Sequence, residues 1–416
     1  MSDAALGMDF TLGYYSSDRK TGRVCVVKRR NGEFSINCLG VEAESGLEKG
    51  LKPIFVGLTE EHRFILLNPE TKSIRIQSNF PVDAFPAHIY SDPHASRDWF
   101  MNDGDKESGN DTVNCGEHGS SVTVIENTAS ASARHLATIC VGRGHHQATF
   151  SYSSEQAPAV PHTTYISNLK DGTVSAIGND PDNDEHYLKV IATIDLCEPD
   201  KEKDGRTGAP CNAFPHGLVY SKVSGKLYNL NNGYGTIAVI DPVTNVIEER
   251  IEFKGHSNLF VTPCGRYIFG RGADRKSDPE HVVAKLTVLD AGTHMVMDAI
   301  ELPDIYISKY YFNNDGSKLY LTTGSSGSPE QAANLKHDAL LIFDLNALPK
   351  IKLLTELKLD SSSGSLAFLG DEEGTQLVFS SNSVAGTLAI IDGEDDSLIE
   401  TLKVTEGTSH SRVWLA

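Results

Sequence analysis

A short run of aliphatic and β-branched residues, closed by a turn residue and followed by a second apolar run, recurs along the chain. It is clearest at Gly235 to Asp241 (GTIAVID), followed by Asn245 to Phe253 (NVIEERIEF). Copies stand at Gly386 to Asp392, Lys285 to Asp290, Ala339 to Asp344, Ser120 to Glu126 and Gly172 to Gly178. Weaker ones stand at Arg63 to Asn68 and Gly22 to Lys28. Runs of this length and composition are strand signals, and the Asp-Pro, Asn-Asp-Gly and Pro-Cys-Gly clusters between them mark turns. Long helical periodicity is absent, so an α/β reading is poor.

The turn residue falls at 28, 68, 126, 178, 241, 290, 344 and 392. The 416 residues therefore divide into eight units of about 52 each, slightly longer than common propeller blades. One small antiparallel sheet cannot bury both its faces, whereas radial stacking of such sheets does so and leaves only short edges. The expected fold is all-β, a single closed β-propeller over 1–416, with eight blades and seven as the alternative. The chain ends in an apolar strand, His410 to Ala416, and opens with Asp9 to Tyr15, so the two ends are expected to share the closing blade. Polar insertions are expected near 101–119 and 198–211.

Tyr165-Ile-Ser-Asn168 with Asp171 to Ile177, and Lys226-Leu-Tyr-Asn229 with Gly235 to Asp241, resemble the YVTN-type propeller repeat. The wider resemblance, over most of the chain, is to the cytochrome d1 haem-domain propeller superfamily, which implies eight blades. It is a likeness of repeats and says little about activity.

Histidines recur at one point of the repeat. His216 and His256 each open an inner-strand pattern with a basic residue ten positions on, Lys226 and Arg266. His146 and His410 fit the same start, and His88 fits with a slip of one or two residues. The other blades place Ser308 or Lys309, Ser365 and the region of Pro53 there. With 15 His in 416 residues, eight such positions would hold about 0.3 by chance. Imidazoles that converge on one axis form a metal site, whereas a single one is more often a hydrogen-bonded plug. The expected ligands are His146, His216, His256 and His410, with His145 and His88 as further candidates. His162 reads as structural, and the remaining histidines read as solvated. Arg143 and Lys309, near the same level, are candidates to bind an anionic substrate or donate a proton.

The copper propellers of nitrous oxide reductase and thiocyanate dehydrogenase are similar in holding metal with His at blade starts. The former also has an adjacent His pair like His145-His146. The resemblance implies copper or iron, with zinc as an alternative, and an oxidoreductase acting on a small molecule. The competing expectation is a non-catalytic propeller that binds a protein partner or a haem-like cofactor across one face. Carotenoid oxygenases share only the ligand count.

Composition excludes other classes. With 37 Lys+Arg against 56 Asp+Glu, the net charge is −19, which repels nucleic acid at long range. The two basic spots, Lys28 to Arg30 and Arg271 to Lys276, are expected on solvated turns. No run approaches the roughly 18 apolar residues of a membrane helix, and the first residues lack a basic, apolar signal pattern. Seven Cys with no CxxC exclude a zinc ribbon and a c-type haem site. Free thiols in a reducing cytoplasm are expected, with Cys197–Cys211 as the pair an exported protein would form. The acidic loops 102–111 and 179–185 read as solvated insertions rather than calcium sites, and no P-loop, GxSxG, HExxH or GxGxxG motif occurs.

Overall fold

A computed structural model describes residues 8–17, 22–41, 54–58, 63–68, 73–77, 86–102, 115, 120–126, 134–371 and 374–415. Its strands form antiparallel sheets in chain order. β1 (Phe10–Ser17), β2 (Gly22–Arg30) and β3 (Glu33–Val41) belong to the first; β4 (Ile54–Leu58), β5 (Arg63–Asn68) and β6 (Ser73–Gln77) form the second. The third holds β7 (Pro86–Ser91), β8 (Arg97–Asn102), β9 (Ser120–Glu126) and β10 (Arg134–Val141). The fourth holds β11 (His145–Ser151), β12 (Thr163–Asn168), β13 (Thr173–Gly178) and β14 (Val190–Asp195). The fifth holds β15 (Pro215–Ser221), β16 (Lys226–Asn231), β17 (Thr236–Asp241) and β18 (Val246–Glu252). The sixth is β19 (Asn258–Val261), β20 (Tyr267–Asp274), β21 (Val283–Asp290) and β22 (Val296–Pro303). The seventh is β23 (Ile307–Phe312), β24 (Lys318–Thr323), β25 (Ala339–Asp344) and β26 (Lys352–Lys358). The eighth is β27 (Ser363–Asp371), β28 (Gly374–Asn382), β29 (Thr387–Asp392) and β30 (Leu398–Lys403). The last strand, β31 (His410–Leu415), returns to the first sheet and pairs with β1.

That pairing runs from Leu12↔Leu415 to Ser17↔His410, so both ends of the chain build one sheet. Gly13 is required there: a Cβ on it would lie 2.0 Å from the Trp414 ring.

The sheets are joined by a repeated device. The second strands carry a buried aromatic three residues before a buried Asn or Thr: Trp99, Tyr165, Tyr228, Tyr320 and Phe379 precede Asn102, Asn168, Asn231, Thr323 and Asn382. Each tyrosine hydroxyl donates into the next sheet. Tyr165 reaches the Pro242 carbonyl at 3.2 Å, Tyr228 the Ala291 carbonyl at 2.7 Å, and Tyr320 the Asp396 carboxylate at 3.0 Å. A tyrosine thus supplies apolar area to the core and satisfies its polar tip across the boundary. The Asn side chains donate to hydroxyls of their own sheet, as from Asn168 to Thr173 at 3.0 Å and from Asn382 to Thr387 at 3.1 Å. Between sheets, Tyr165, Val174 and Ala176 pack with Leu218, Tyr220, Leu227 and Ala238.

Three expectations change. Cys25 is the register partner of Cys38 across β2 and β3, and the two form a disulfide. Cys115 and Cys140 form another, while Cys197, Cys211 and Cys264 are free thiols. The thiols are therefore not all reduced, and the pairs that form are not the one expected. The first basic spot lies in a strand rather than a turn, with Arg29 buried in β2 over the Phe34 ring, and the second is split: Arg271 is half-buried in β20, while Arg275 and Lys276 are exposed in the connection that follows, as expected. Among the described residues no helix is long and apolar enough to cross a membrane. Most of the insertion at 101–119 lies outside the described residues. The one at 198–211 is a defined connection carrying the one-turn 3-10 helix Pro199–Lys201.

Candidate functional site at the strand starts

The first strands of neighbouring sheets lie against one another: β7 against β11, β11 against β15, β15 against β19, and β27 against β31. Their opening residues therefore form a row. Most of these strands also begin with a bulge. The register skips Ala87 in β7, His146 and Gln147 in β11, His216 in β15, Ser308 in β23 and Gly364 in β27. A bulge inserts an unpaired residue and re-aims its side chain, a device common beside functional sites.

Three consecutive strands bring histidine to this row: His88 on β7, His145 and His146 on β11, and His216 on β15. His145 pairs with Asn168, and His146 occupies the bulge that follows. His216 is half-buried, and its Nδ1 bonds the main-chain carbonyl of Ser257 in the next sheet. A carbonyl can only accept, so the proton sits on Nδ1 and the lone pair on Nε2. Burial lowers the His216 pKa; the Ser257 bond opposes this, and the charges of Arg271 and His88 add to the lowering. The ring is thereby held neutral, the form that ligates metals.

His256 does not join the row. Strand pairing makes Leu218 equivalent to Leu259, since each stands opposite the matching position of its second strand. Ser257 then matches His216, and His256 matches Pro215, one residue earlier. His145 of β11 holds that same earlier position, so what separates His256 is the contacts its side chain makes. His256 points into the sheet: its Nε2 meets Thr287 Oγ1 at 2.8 Å, and its ring stacks on Phe253 at 4.0 Å. Burial presses its pKa down to about 4.

The remaining candidates have definite places. His410 opens β31, exposed, with Nδ1 2.9 Å from Ser409 Oγ. Lys309 follows the β23 bulge and donates to the Gly364 carbonyl of the eighth sheet at 2.7 Å. Arg143 is ion-paired with Asp171, its Nε 2.6 Å from Oδ1, while its main-chain N–H holds Oδ2 at 2.7 Å. That pair ties the connection from the third sheet into the fourth to the turn between β12 and β13. The region of Pro53 lies outside the described residues. His162 bonds the buried Asp92 at 2.9 Å and thereby links the fourth sheet to the third.

Arg271 is the residue that sequence reasoning missed at this site. It lies beside His216 electrostatically and donates from Nη1 to the Ile307 carbonyl at 2.7 Å. Burial lowers its pKa, opposed by Tyr306 and Tyr310. Its sequence signal was the basic spot Arg271 to Lys276, which starts inside the run Tyr267 to Ala273 that reads as a strand.

No family model matches the chain, and no curated protein matches it. Solved structures do. The dihydro-heme d1 dehydrogenase NirN in complex with DHE superposes with a TM-score of 0.59 at 10% identity, covering 98% of this chain and 75% of that one. Hydrazine synthase from Kuenenia stuttgartiensis gives a TM-score of 0.51 at 14% identity, covering 79% of this chain and 90% of that one. These likenesses establish the β-propeller fold.

Proposed function

We propose that the chain is a ring-closed, eight-bladed propeller that binds a metal ion at its axis through His88, His145, His146 and His216, and acts as an oxidoreductase on a small molecule. The observation that carries this reading is the placement of histidine at the start of three consecutive first strands. The donor set fits a late first-row metal: neutral imidazoles suit copper and iron, and zinc as well. The carbonyl of Ser257 orients one of them, as outer hydrogen bonds do for metal-bound histidines. His256 is set aside from the ligand set because both of its ring nitrogens are engaged: Nδ1 donates to the Phe253 carbonyl and Nε2 accepts from the Thr287 hydroxyl.

A bound copper or iron ion would supply one-electron chemistry and open positions for the substrate. The protein's own contribution is placement and charge. His216 is fixed in tautomer and direction, Arg271 brings a positive charge beside it, and Lys309 bridges two sheets at the same level. In a chain of net charge −19, cations at this point favour a small anionic substrate.

A second reading is a haem-like group laid across the same face, with His216 or His88 beneath it. The likeness to NirN, whose structure holds its DHE ligand, supports it, as do the cationic side chains, which suit carboxylates. The two disulfides support an oxidising compartment over the reducing cytoplasm expected from sequence.

The test is the double variant His88→Ala/His216→Ala. The reading expects loss of copper and iron binding with an unchanged far-UV circular dichroism spectrum. Undiminished binding would place the metal elsewhere, and a Soret band in protein supplied with haem would favour the second reading.

A further inference from the structure

The connection between β14 and β15, residues 196–214, carries three groups that the proposed activity does not use. The Sγ atoms of Cys197 and Cys211 and a carboxylate oxygen of Glu202 all lie within 4.8 Å of one another, and all three residues are buried. We propose that Cys197, Glu202 and Cys211 form a separate site for a thiophilic divalent cation of the zinc class, which fastens this connection to the core.

The surroundings fit such a role. The two thiols point their protons at main-chain carbonyls, Cys197 toward Arg206 at 3.9 Å and Cys211 toward Gly172 at 3.5 Å. The carboxylate is already aimed. The Asn212 main-chain N–H donates to Oε1 at 2.7 Å and its Nδ2 to Oε2 at 2.6 Å; the Tyr234 hydroxyl donates to Oε1 as well. Burial opposes ionisation of Glu202, but the bonds from Tyr234 and Asn212 overcome it and hold the carboxyl below its usual range. Donors of this kind orient a ligand without occupying all its lone pairs. A disulfide would join the two sulfurs and leave a buried carboxylate beside them. Two thiols and a carboxylate converging on one point are instead a donor set that a thiophilic cation takes, the thiols giving up their protons as it binds.

The cation replaces two thiol protons, which leave to solvent, and forms two metal–sulfur bonds and one metal–oxygen bond. Nothing is oxidised or reduced. The site then carries one net negative charge, with the Arg206 guanidinium 3.7 Å from Glu202. Spacing supports a strap: the ligands sit at both ends of the loop and near its 3-10 turn, and Cys211 lies five residues before His216. The cation would hold the segment that delivers His216 to the row.

The probe is cobalt(II), added to Cys264→Ser protein so that the exposed third thiol does not contribute. The expected result is thiolate-to-cobalt charge-transfer absorbance that saturates at one equivalent, is displaced by zinc, and is lost in Cys197→Ser/Cys211→Ser. Glu202→Gln is expected to weaken cobalt binding by about tenfold or more. Absence of the charge-transfer absorbance, its survival in the double variant, or a Cys197–Cys211 disulfide found by mass spectrometry in the purified protein would each overturn the proposal. The histidine site produces no thiolate band, so its failure and this one read out separately.

Discussion

The imidazole of His216 reaches from the fifth sheet to the sixth and donates its Nδ1 proton to the main-chain carbonyl of Ser257. That carbonyl is itself held in place, because the Ser257 N–H bonds the Arg271 carbonyl at 2.7 Å. A side chain on one sheet is thus aimed by the backbone of the next. Replacing His216 with Ala removes both ligand and aim. Metal affinity should fall by more than the roughly 10–100-fold that losing a supporting hydrogen bond costs. Isothermal titration with copper(II) on wild type and variant measures this, and equal affinities would remove His216 from the site.

His256 sets a pH dependence of stability rather than of binding. Its pKa is about 4 in the folded chain against 6.5 when exposed, so the folded state favours the neutral ring. Its contribution is present in full above pH 6.5 and is lost as pH falls from 6.5 towards 4. The difference amounts to about 3 kcal/mol. Denaturant titrations at pH 7.5 and 4.0 should show that loss in wild type, and His256→Gln should lack this part of it.

Asp396 clamps the seventh and eighth sheets together. Its carboxylate meets Lys318 Nζ at 2.8 Å and the Tyr320 hydroxyl at 3.0 Å, all largely buried. Asp396→Ala strands a buried ammonium and a buried hydroxyl, so a stability loss of about 3 kcal/mol or more is expected. Chemical denaturation measures it, and metal content should be unaffected, because this clamp sits at the third-to-fourth strand hairpin of the eighth sheet.

Gly13 and Trp414 report on the sheet built from both ends of the chain. Any side chain at position 13 overlaps the indole, where a Cβ would sit 2.0 Å away. Gly13→Val should dislodge β31 and lower the melting temperature markedly, whereas Gly32→Ala, where a Cβ meets open space but φ is +82°, should cost only about 1 kcal/mol.

The disulfides Cys25–Cys38 and Cys115–Cys140 close segments with sequence separations of 13 and 25. Each should stabilise by about 3 kcal/mol. Reductant should therefore cost the wild type about 6 kcal/mol and a Cys25→Ser/Cys38→Ser variant, which keeps one bridge, about 3 kcal/mol, read from denaturation with and without reductant.

Much of the architecture was legible because the repeat is local chemistry. The runs ending at Asp241, Asp290, Asp344 and Asp392 are the third strands β17, β21, β25 and β29. The shared sheet of the two termini followed from apolar strands at both ends. What sequence could not supply was register. His216 and His256 align without gaps as strings, yet β19 begins after His256, and the bulge at His216 has no counterpart in the pairing of β19. The string alignment sets His216 beside His256 where strand pairing sets it beside Ser257, and the contacts of His256 with Phe253 and Thr287 take it out of the row. Cysteine pairing was illegible for the same reason, since Cys25 and Cys38 meet through a hairpin register that spacing alone does not fix. Arg271 was hidden because a cation among charged neighbours reads as solvated until its strand is known.

Whether the histidine row holds metal is decided by elemental analysis of the untagged protein after reconstitution with copper, iron or zinc, compared with its His88→Ala/His216→Ala variant. About one equivalent or more of copper or iron per chain is expected in the wild type, beyond any cation held by Cys197, Glu202 and Cys211, and is expected to be lost in the variant. Less than about 0.2 equivalents in wild type, or the same content in both proteins, would contradict it.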